Sequence, residues 1–415
     1  MLPKNTIRMG AHLNLTKITK ASYAILAALF TAHFLNHVYT GVLSPFLPLI
    51  RDELSLSLTQ AGILTSAVIV TMTSFHLVVG YLADKNLREI MISISVIGAG
   101  ISVLLMSFAP SFLFLAIIQV VLGIAVSGYH PSSFPAVADA FPKKARAKAV
   151  GVSAMGGLIG MALVPILGAL LLVIYSDWRA SLVILGLLGV ILFVPVTLLL
   201  RYSKSNETPV ENDDNEIDGP QEWTRNFGLV VLLSGLRGIP FRCTTLLMPL
   251  YLAVSYGYEP VWAGSLTTVM LVAGMFAEVI AAPISDRTGK RVRFMTLSIG
   301  LLAPLLLLLN FRLNPIMLAL VLIGIGFFYF FGVPPGQAYQ TEVCPSQTKG
   351  LAFGVLFSIG AIPGAIAPVI FGAIGDAYGL DASILFLVGT TIIATIVSLF
   401  LKEDHAIHVE PRIAE

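Results

Sequence analysis

The sequence is poor in charge. Asp, Glu, Lys and Arg make up 12% of its 415 residues, against roughly 25% in soluble domains. So few charges do not cover a water-facing surface, which excludes a soluble enzyme or binding module of this length. Cysteine is nearly absent, Cys243 and Cys344 being the only two. That excludes a disulfide framework and a cysteine-built metal site. A phosphate-binding loop ending in Gly-Lys-Ser/Thr is missing, so direct drive by ATP is not expected. The net charge of +2 gives no reason to expect nucleic acid. A clustered nucleophile and base is missing, as is a sizeable polar domain, which argues against an enzyme and against a receptor. The expectation is no catalytic residue, no cofactor and no metal.

What is present is apolar: 56% hydrophobic residues and a mean hydropathy of +0.89. A spanning helix needs about 20 apolar residues, and twelve such runs follow one another. They cover 21–50, 59–83, 89–109, 112–139, 146–174, 179–201, 226–256, 261–285, 293–311, 315–340, 348–375 and 382–401, numbered here as helices 1 to 12. The runs are continuous rather than alternating, so helices are expected and not barrel strands. The first run is too long for a signal peptide and is expected to stay as helix 1. With the N-terminus inside, twenty of the 25 Lys and Arg fall in inner segments and three (Arg51, Arg179, Arg312) in outer loops. This split puts both termini in the cytoplasm. The other two, Arg237 and Arg242, lie inside helix 7.

The chain divides into a cytoplasmic tail (1–20), a six-helix bundle (21–201), an acidic linker (202–224), a second bundle (225–401) and a C-terminal tail (402–415). The linker holds seven acidic residues and few apolar ones, the composition of a solvated tether. The halves repeat. Pro142 to Gly151 aligns with Pro345 to Gly354, and Pro165 with Pro368, at one offset of 203 residues. Two turns repeat at nearly the same offset: Gly80-x-x-x-Asp84-Lys85-x-x-Arg88 after helix 2, and Ala282-x-x-x-Asp286-Arg287-x-Gly289-Lys290-Arg291 after helix 8. A weaker echo, Gly372-x-x-x-Asp376, ends helix 11.

These turns resemble the signature of the major facilitator superfamily. The first copy departs from it with Leu87 in place of Gly and Glu89 in place of a basic residue. The second has Ala282 for the first Gly. The resemblance implies an all-α membrane protein of two pseudo-symmetric six-helix bundles working by alternating access. Asp84, Lys85, Arg88, Asp286, Arg287 and Lys290 then read as gate latches: each aspartate pairs with arginine or caps a helix, and opening breaks the contact.

Ionisable groups inside a membrane are costly and default to functional candidates. Helix 1 carries His33, Asn36 and His37, with His33 and His37 one turn apart on one face. They offer two metal ligands, but the sequence shows no clear third. Helix 2 carries His76, helix 4 His130 and Asp139, and helix 8 Glu278. His76 and Glu278 are repeat-equivalent, each eight residues before its latch aspartate. Glu278, His37, His76 and Asp139 are the candidates for proton coupling. Arg237, Arg242, Asn36, His33 and His130 are the candidates for substrate binding. Arginine stays charged and matches carboxylate or phosphonate groups with a fork, so helix 7 points to an anionic cargo. Arg237, deeper from both ends, is the one expected to face it.

Several of these residues also resemble the fosmidomycin-resistance-type exporters. They are Ala32-His33-Phe34-Leu35-Asn36-His37, the turn from Gly80 to Lys85, Tyr129-His130-Pro131, Arg237, and Gln340-x-Glu342. His37 stands where that branch has Asp. This resemblance implies a proton-driven antiporter expelling a small, often anionic compound. The expected partners are such a solute, protons and the lipid bilayer, with the protein a monomer in the cell membrane. An importer of an organic or sugar acid on the same fold is the rival reading.

Overall fold

The computed structural model describes residues 18–205, 220 and 222–403. The two tails (1–17, 404–415) and most of the acidic linker (206–219, 221) lie outside the described residues. Among the described residues there are twelve helices long and apolar enough to cross a membrane. In order they are Lys20–Glu53, Leu58–Lys85, Arg88–Met106, Phe112–Val137, Lys148–Tyr175, Trp178–Ser205, Arg225–Tyr256, Pro260–Thr288, Arg291–Leu308, Pro315–Val343, Leu351–Tyr378 and Leu380–Leu399. They are helices 1 to 12 as expected, with ends shifted by a few residues. Side chains such as Leu113, Ile117, Ile191, Leu198, Val279, Ile316 and Leu399 are exposed on the outside. Hydrocarbon rather than water is the solvent such a surface fits.

Local chemistry sets the ends. Thr19 and Ser57 cap helices 1 and 2 in reciprocal boxes with Ser22 and Gln60, satisfying free N–H groups of the first turn. Helix 8 stops at Gly289, whose φ of +63° few other residues adopt readily. The equivalent position in the first turn is Leu87. There the chain takes one wide π-helical turn over Ala83–Leu87 instead, so no left-handed residue is needed.

Helices 4 and 10 are broken, and at equivalent places. Helix 4 is interrupted after Val126 and resumes as His130–Ala140; helix 10 is interrupted after Phe331 and resumes as Val333–Val343. The resumed segments are both 11 residues long. Proline accounts for both interruptions. Pro131 in one half, and Pro334 and Pro335 in the other, lack the N–H a continuous helix requires and clash with the preceding turn.

The bundles meet along helices 2 and 11, 5 and 8, and the outer ends of 1 and 7. At the face away from the termini the seam is tight. Gly62 lies against the backbone of Pro368, and Gly372 against Leu58. A Cβ on Gly264 would come within 2.6 Å of the Pro165 carbonyl. Small residues allow this approach. Ser44 Oγ donates to Leu246 O at 2.7 Å, joining helix 1 to helix 7. Asp376 of helix 11 accepts from Leu58 N and Thr59 N, both at 2.8 Å, and from Thr59 Oγ1 at 2.6 Å. A carboxylate thus caps the N-terminus of helix 2 across the seam. At the other face, where the described chain begins at Ile18 and ends at Glu403, Gly80, Gly151 and Gly354 have open space where a Cβ would stand. Among the described residues the seam is closed at the end where Asp376 caps helix 2 and open at the opposite end.

Candidate functional site

The break in helix 4 organises the N-terminal bundle. Asn36, buried in helix 1, donates from Nδ2 to the carbonyl of Val126 at 2.8 Å, at the edge of the break. Tyr129, inside it, donates to Leu29 O (3.0 Å) and lies 3.0 Å from Ser153 Oγ. Its ring stacks on His33 at 4.7 Å. Beside it the fold gathers four histidines. His33 lies 4.9 Å from His37 and 5.2 Å from His130, ring centre to ring centre. His130 lies 5.9 Å from both His37 and His76. His33 Nδ1 is 2.9 Å from the carbonyl of Ser153. A carbonyl only accepts, so Nδ1 carries the proton and Nε2 keeps its lone pair. Gly157 makes room for the group: a Cβ there would stand 2.7 Å from His37 Cδ2.

The C-terminal bundle is organised by the break in helix 10. Arg237 donates to the carbonyls of Gly332 (3.2 Å) and Tyr329 (3.3 Å), on either side of it. Gly332 and Gly336 leave space for the guanidinium, since a Cβ on either would approach it to 3.0 or 3.1 Å. Arg237 Cζ also sits 5.5 Å from the ring centre of Tyr329, whose ring stacks on Phe241 at 4.8 Å. Arg242, one and a half turns on, differs. It makes no hydrogen bond or ion pair among the described residues. Its Cζ is 5.3 Å from the Phe241 ring centre, and its charge reaches His37, His76 and His130. Glu278 lies within coulombic range of Tyr329, and its Oε2 is buried without a partner. The structure therefore brings the histidines of helices 1, 2 and 4 together. It leaves Asn36 and Arg237 engaged with backbone.

The residues expected from the sequence to act as latches follow helices 2 and 8, on the face opposite the Asp376 cap. Arg88 pairs with Asp139 and not with Asp84. Its equivalent, Arg291, pairs with Glu342, the equivalent of Asp139, at 3.2 Å. Arg291 also binds Asp286 at 2.7 Å and Ser285 Oγ at 2.8 Å. Asp84 is exposed and makes no ion pair among the described residues. Lys85 lies over the Tyr81 ring at 5.4 Å, while Arg287 and Lys290 are exposed. Reading the sequence named Tyr129 and Asp376 within motifs but gave them no role in the site, and it did not single out Tyr329. The Gly-x-x-x-Asp echo pointed to Asp376, and Pro131 and Pro334-Pro335 pointed to the breaks where the two tyrosines sit.

Comparison with known proteins fits this geometry. The model of the Major Facilitator Superfamily matches residues 29–259 and again 230–415. The chain belongs to the Major Facilitator Superfamily. Its facilitator fold is shared with solved transporters of low identity. A bacterial homologue of the human lysosomal transporter Spinster, inward-facing and occupied, superposes with a TM-score of 0.76 at 18% identity, over 91% of this chain and 96% of that one. The nucleoside transporter NupG gives 0.71 at 16% identity, over 91% and 99%. Among sequence relatives, a probable sulfoacetate transporter of Cupriavidus necator is 24% identical over 85% of this chain and 87% of its own length. A cis,cis-muconate transport protein of Acinetobacter baylyi is 25% identical over 87% and 90%. A multidrug resistance protein of Yersinia enterocolitica is 24% identical over 84% and 86%. This facilitator is a multi-pass membrane transporter of small molecules, not an enzyme.

Proposed function

We propose that this facilitator moves a small organic anion in exchange for protons, by alternating access, as a monomer in a cell membrane. The observation that carries the anion is Arg242, a permanent cation within the membrane-spanning region with no hydrogen bond or ion pair among the described residues, its charge met only by the Phe241 ring. Such a charge is too costly to leave bare, so it is kept for a ligand. Arg237 is the brace behind it, its donors committed to the carbonyls around the helix 10 break. Two relatives support the class, since sulfoacetate and cis,cis-muconate are both organic anions. Outward transport is supported by the likeness to fosmidomycin-resistance-type exporters and by the multidrug resistance relatives.

The excess of Lys and Arg in the segments on the terminal face supports cytoplasmic termini. With that orientation the open end of the seam faces inward. Asp84, unpaired there, is a latch awaiting closure, and Asp286 on Arg291 is its partly made counterpart. Asp376 holds the opposite face shut. Glu278, a carboxylate in helix 8 without a partner, is the proposed proton carrier.

The test is counterflow of short sulfonates and dicarboxylates in proteoliposomes under an imposed pH gradient. Arg242→Gln is expected to abolish exchange while the protein inserts and melts normally; wild-type rates in that variant reject the anion site. Glu278→Gln is expected to exchange cargo without responding to the gradient. An unchanged response removes Glu278 from the coupling.

A further inference from the structure

We propose that His33, His37 and His130 form a binding site for a divalent transition-metal ion of the zinc class. Three imidazoles each offer a nitrogen, and these nitrogens lie within 4.8 Å of one another. Helix 1 supplies two from one face, and the broken helix 4 supplies the third, 93 residues further on. A tetrahedral ion with metal–nitrogen bonds of about 2.0–2.1 Å spaces its ligands roughly 3.4 Å apart. The nitrogens therefore close by up to about 1.4 Å on binding, within the reach of side-chain torsions.

Four further observations point the same way. His33 spends Nδ1 on the Ser153 carbonyl, the outer hydrogen bond that fixes tautomer and orientation in histidine metal ligands. His37 and His130 make no side-chain hydrogen bond among the described residues, so both remain available as ligands. His76 stands next to His130, outside the group of three, with Nε2 buried and without a hydrogen-bond partner among the described residues, one more polar group beside the cluster left for a ligand or water to meet. A cavity of about 20 Å³ lies beside His33, His130 and Ser153, room enough for one water or ion.

The donor set chooses the metal. Neutral nitrogen ligands suit zinc, cobalt, nickel and copper, whereas magnesium and calcium require oxygen. Three neutral imidazoles leave the ion both of its charges, and Arg242 adds repulsion from nearby. Binding is therefore weaker than the ligand set alone would give, and removing that arginine strengthens it.

The experiment uses the purified full chain with any affinity tag removed, in detergent and without transported anion. Titration with Co²⁺ is expected to give one equivalent with the intense visible absorption of a four-coordinate ion, displaced by Zn²⁺. Zn²⁺ should also raise the melting temperature, because it binds the folded chain. His130→Ala and the near-isosteric His37→Gln should each weaken binding at least 100-fold, and Arg242→Gln should tighten it about tenfold. Failure of the wild type to bind Co²⁺ below millimolar concentration overturns the site. So does binding that survives both histidine substitutions unchanged. The metal site does not depend on the anion reading: transport lost in Arg242→Gln without metal binding sinks only the metal, and metal binding with transport retained in that variant sinks only the anion.

Discussion

In the N-terminal bundle the broken helix 4 is held by a neutral amide, Asn36 on Val126 O. In the C-terminal bundle the equivalent break in helix 10 is held by a guanidinium, Arg237 on Tyr329 O and Gly332 O. The geometry is duplicated and the chemistry is not. Each half interrupts the same helix with proline and then needs donors for the carbonyls beside the gap. One half meets that need with an uncharged residue and fills the space with histidines. The other meets it with a cation and leaves a second cation, Arg242, without a hydrogen bond or ion pair among the described residues. What the comparison teaches is that a charged residue in the membrane is not by that fact a ligand site. Arg237 and Arg242 are both permanent charges on one helix, yet among the described residues only Arg237 is hydrogen-bonded.

That comparison is broken most sharply at the arginines. Arg237→Leu strips the donor from two carbonyls and should cost about 3 kcal/mol, lowering the melting temperature by several degrees. Arg242→Gln should leave melting nearly unchanged and remove transport. If thermal denaturation shows the reverse order, brace and ligand have been assigned the wrong way round. A smaller effect is expected from Asn36→Ala, which loses one neutral hydrogen bond and leaves a buried carbonyl, for about 1–2 kcal/mol. A loss in that variant as large as in Arg237→Leu would erase the distinction between the two braces.

Smaller again are the paired ion bridges at the open face. Arg291 is 15% exposed, and both Asp286 and Glu342 engage it; Arg88 is 25% exposed and has Asp139 alone. Double-mutant cycles should give a coupling near 1 kcal/mol for Arg291–Glu342 and less for Arg88–Asp139, since partly exposed pairs are screened. Equal couplings would mean that burial does not separate them. The least effect belongs to the turn itself. Leu87→Gly restores the glycine of the second copy, but the wide turn at Ala83–Leu87 has no positive φ to relieve. A change of only a few tenths of a kcal/mol in either direction is expected, and a stabilisation above 1 kcal/mol would show hidden strain.

The twelve spans were legible in the sequence because hydrocarbon leaves the backbone no outside partner. A long apolar run must then become a helix and nothing else. The duplication was legible because proline and glycine recur at an offset of 203 and aspartate at 202; the breaks of helices 4 and 10 fall beside Pro131 and Pro334, which the repeat as read did not include. Two judgements depended on more than the sequence. Depth along helix 7 favoured Arg237 as the residue facing cargo, yet depth says nothing about the direction a side chain takes. Only the packing against helix 10 shows where the guanidinium goes, with Gly332 and Gly336 leaving room for it beside the carbonyls it binds. Likewise His33 and His37 were visible as a pair, but their third companion sits on another helix at a kink whose angle no local rule fixes.

Solvent, span number and internal repetition were thus properties of the linear chain, because each follows from composition and spacing alone. Which charge is spent on scaffold and which is left over, which histidines meet, and which end of the seam is shut were settled only when the helices packed. These are relations between residues 90 to 320 positions apart, such as Arg237 with Tyr329 or Asp376 with Leu58. They come into being only through the close approach of backbones that glycine and proline permit.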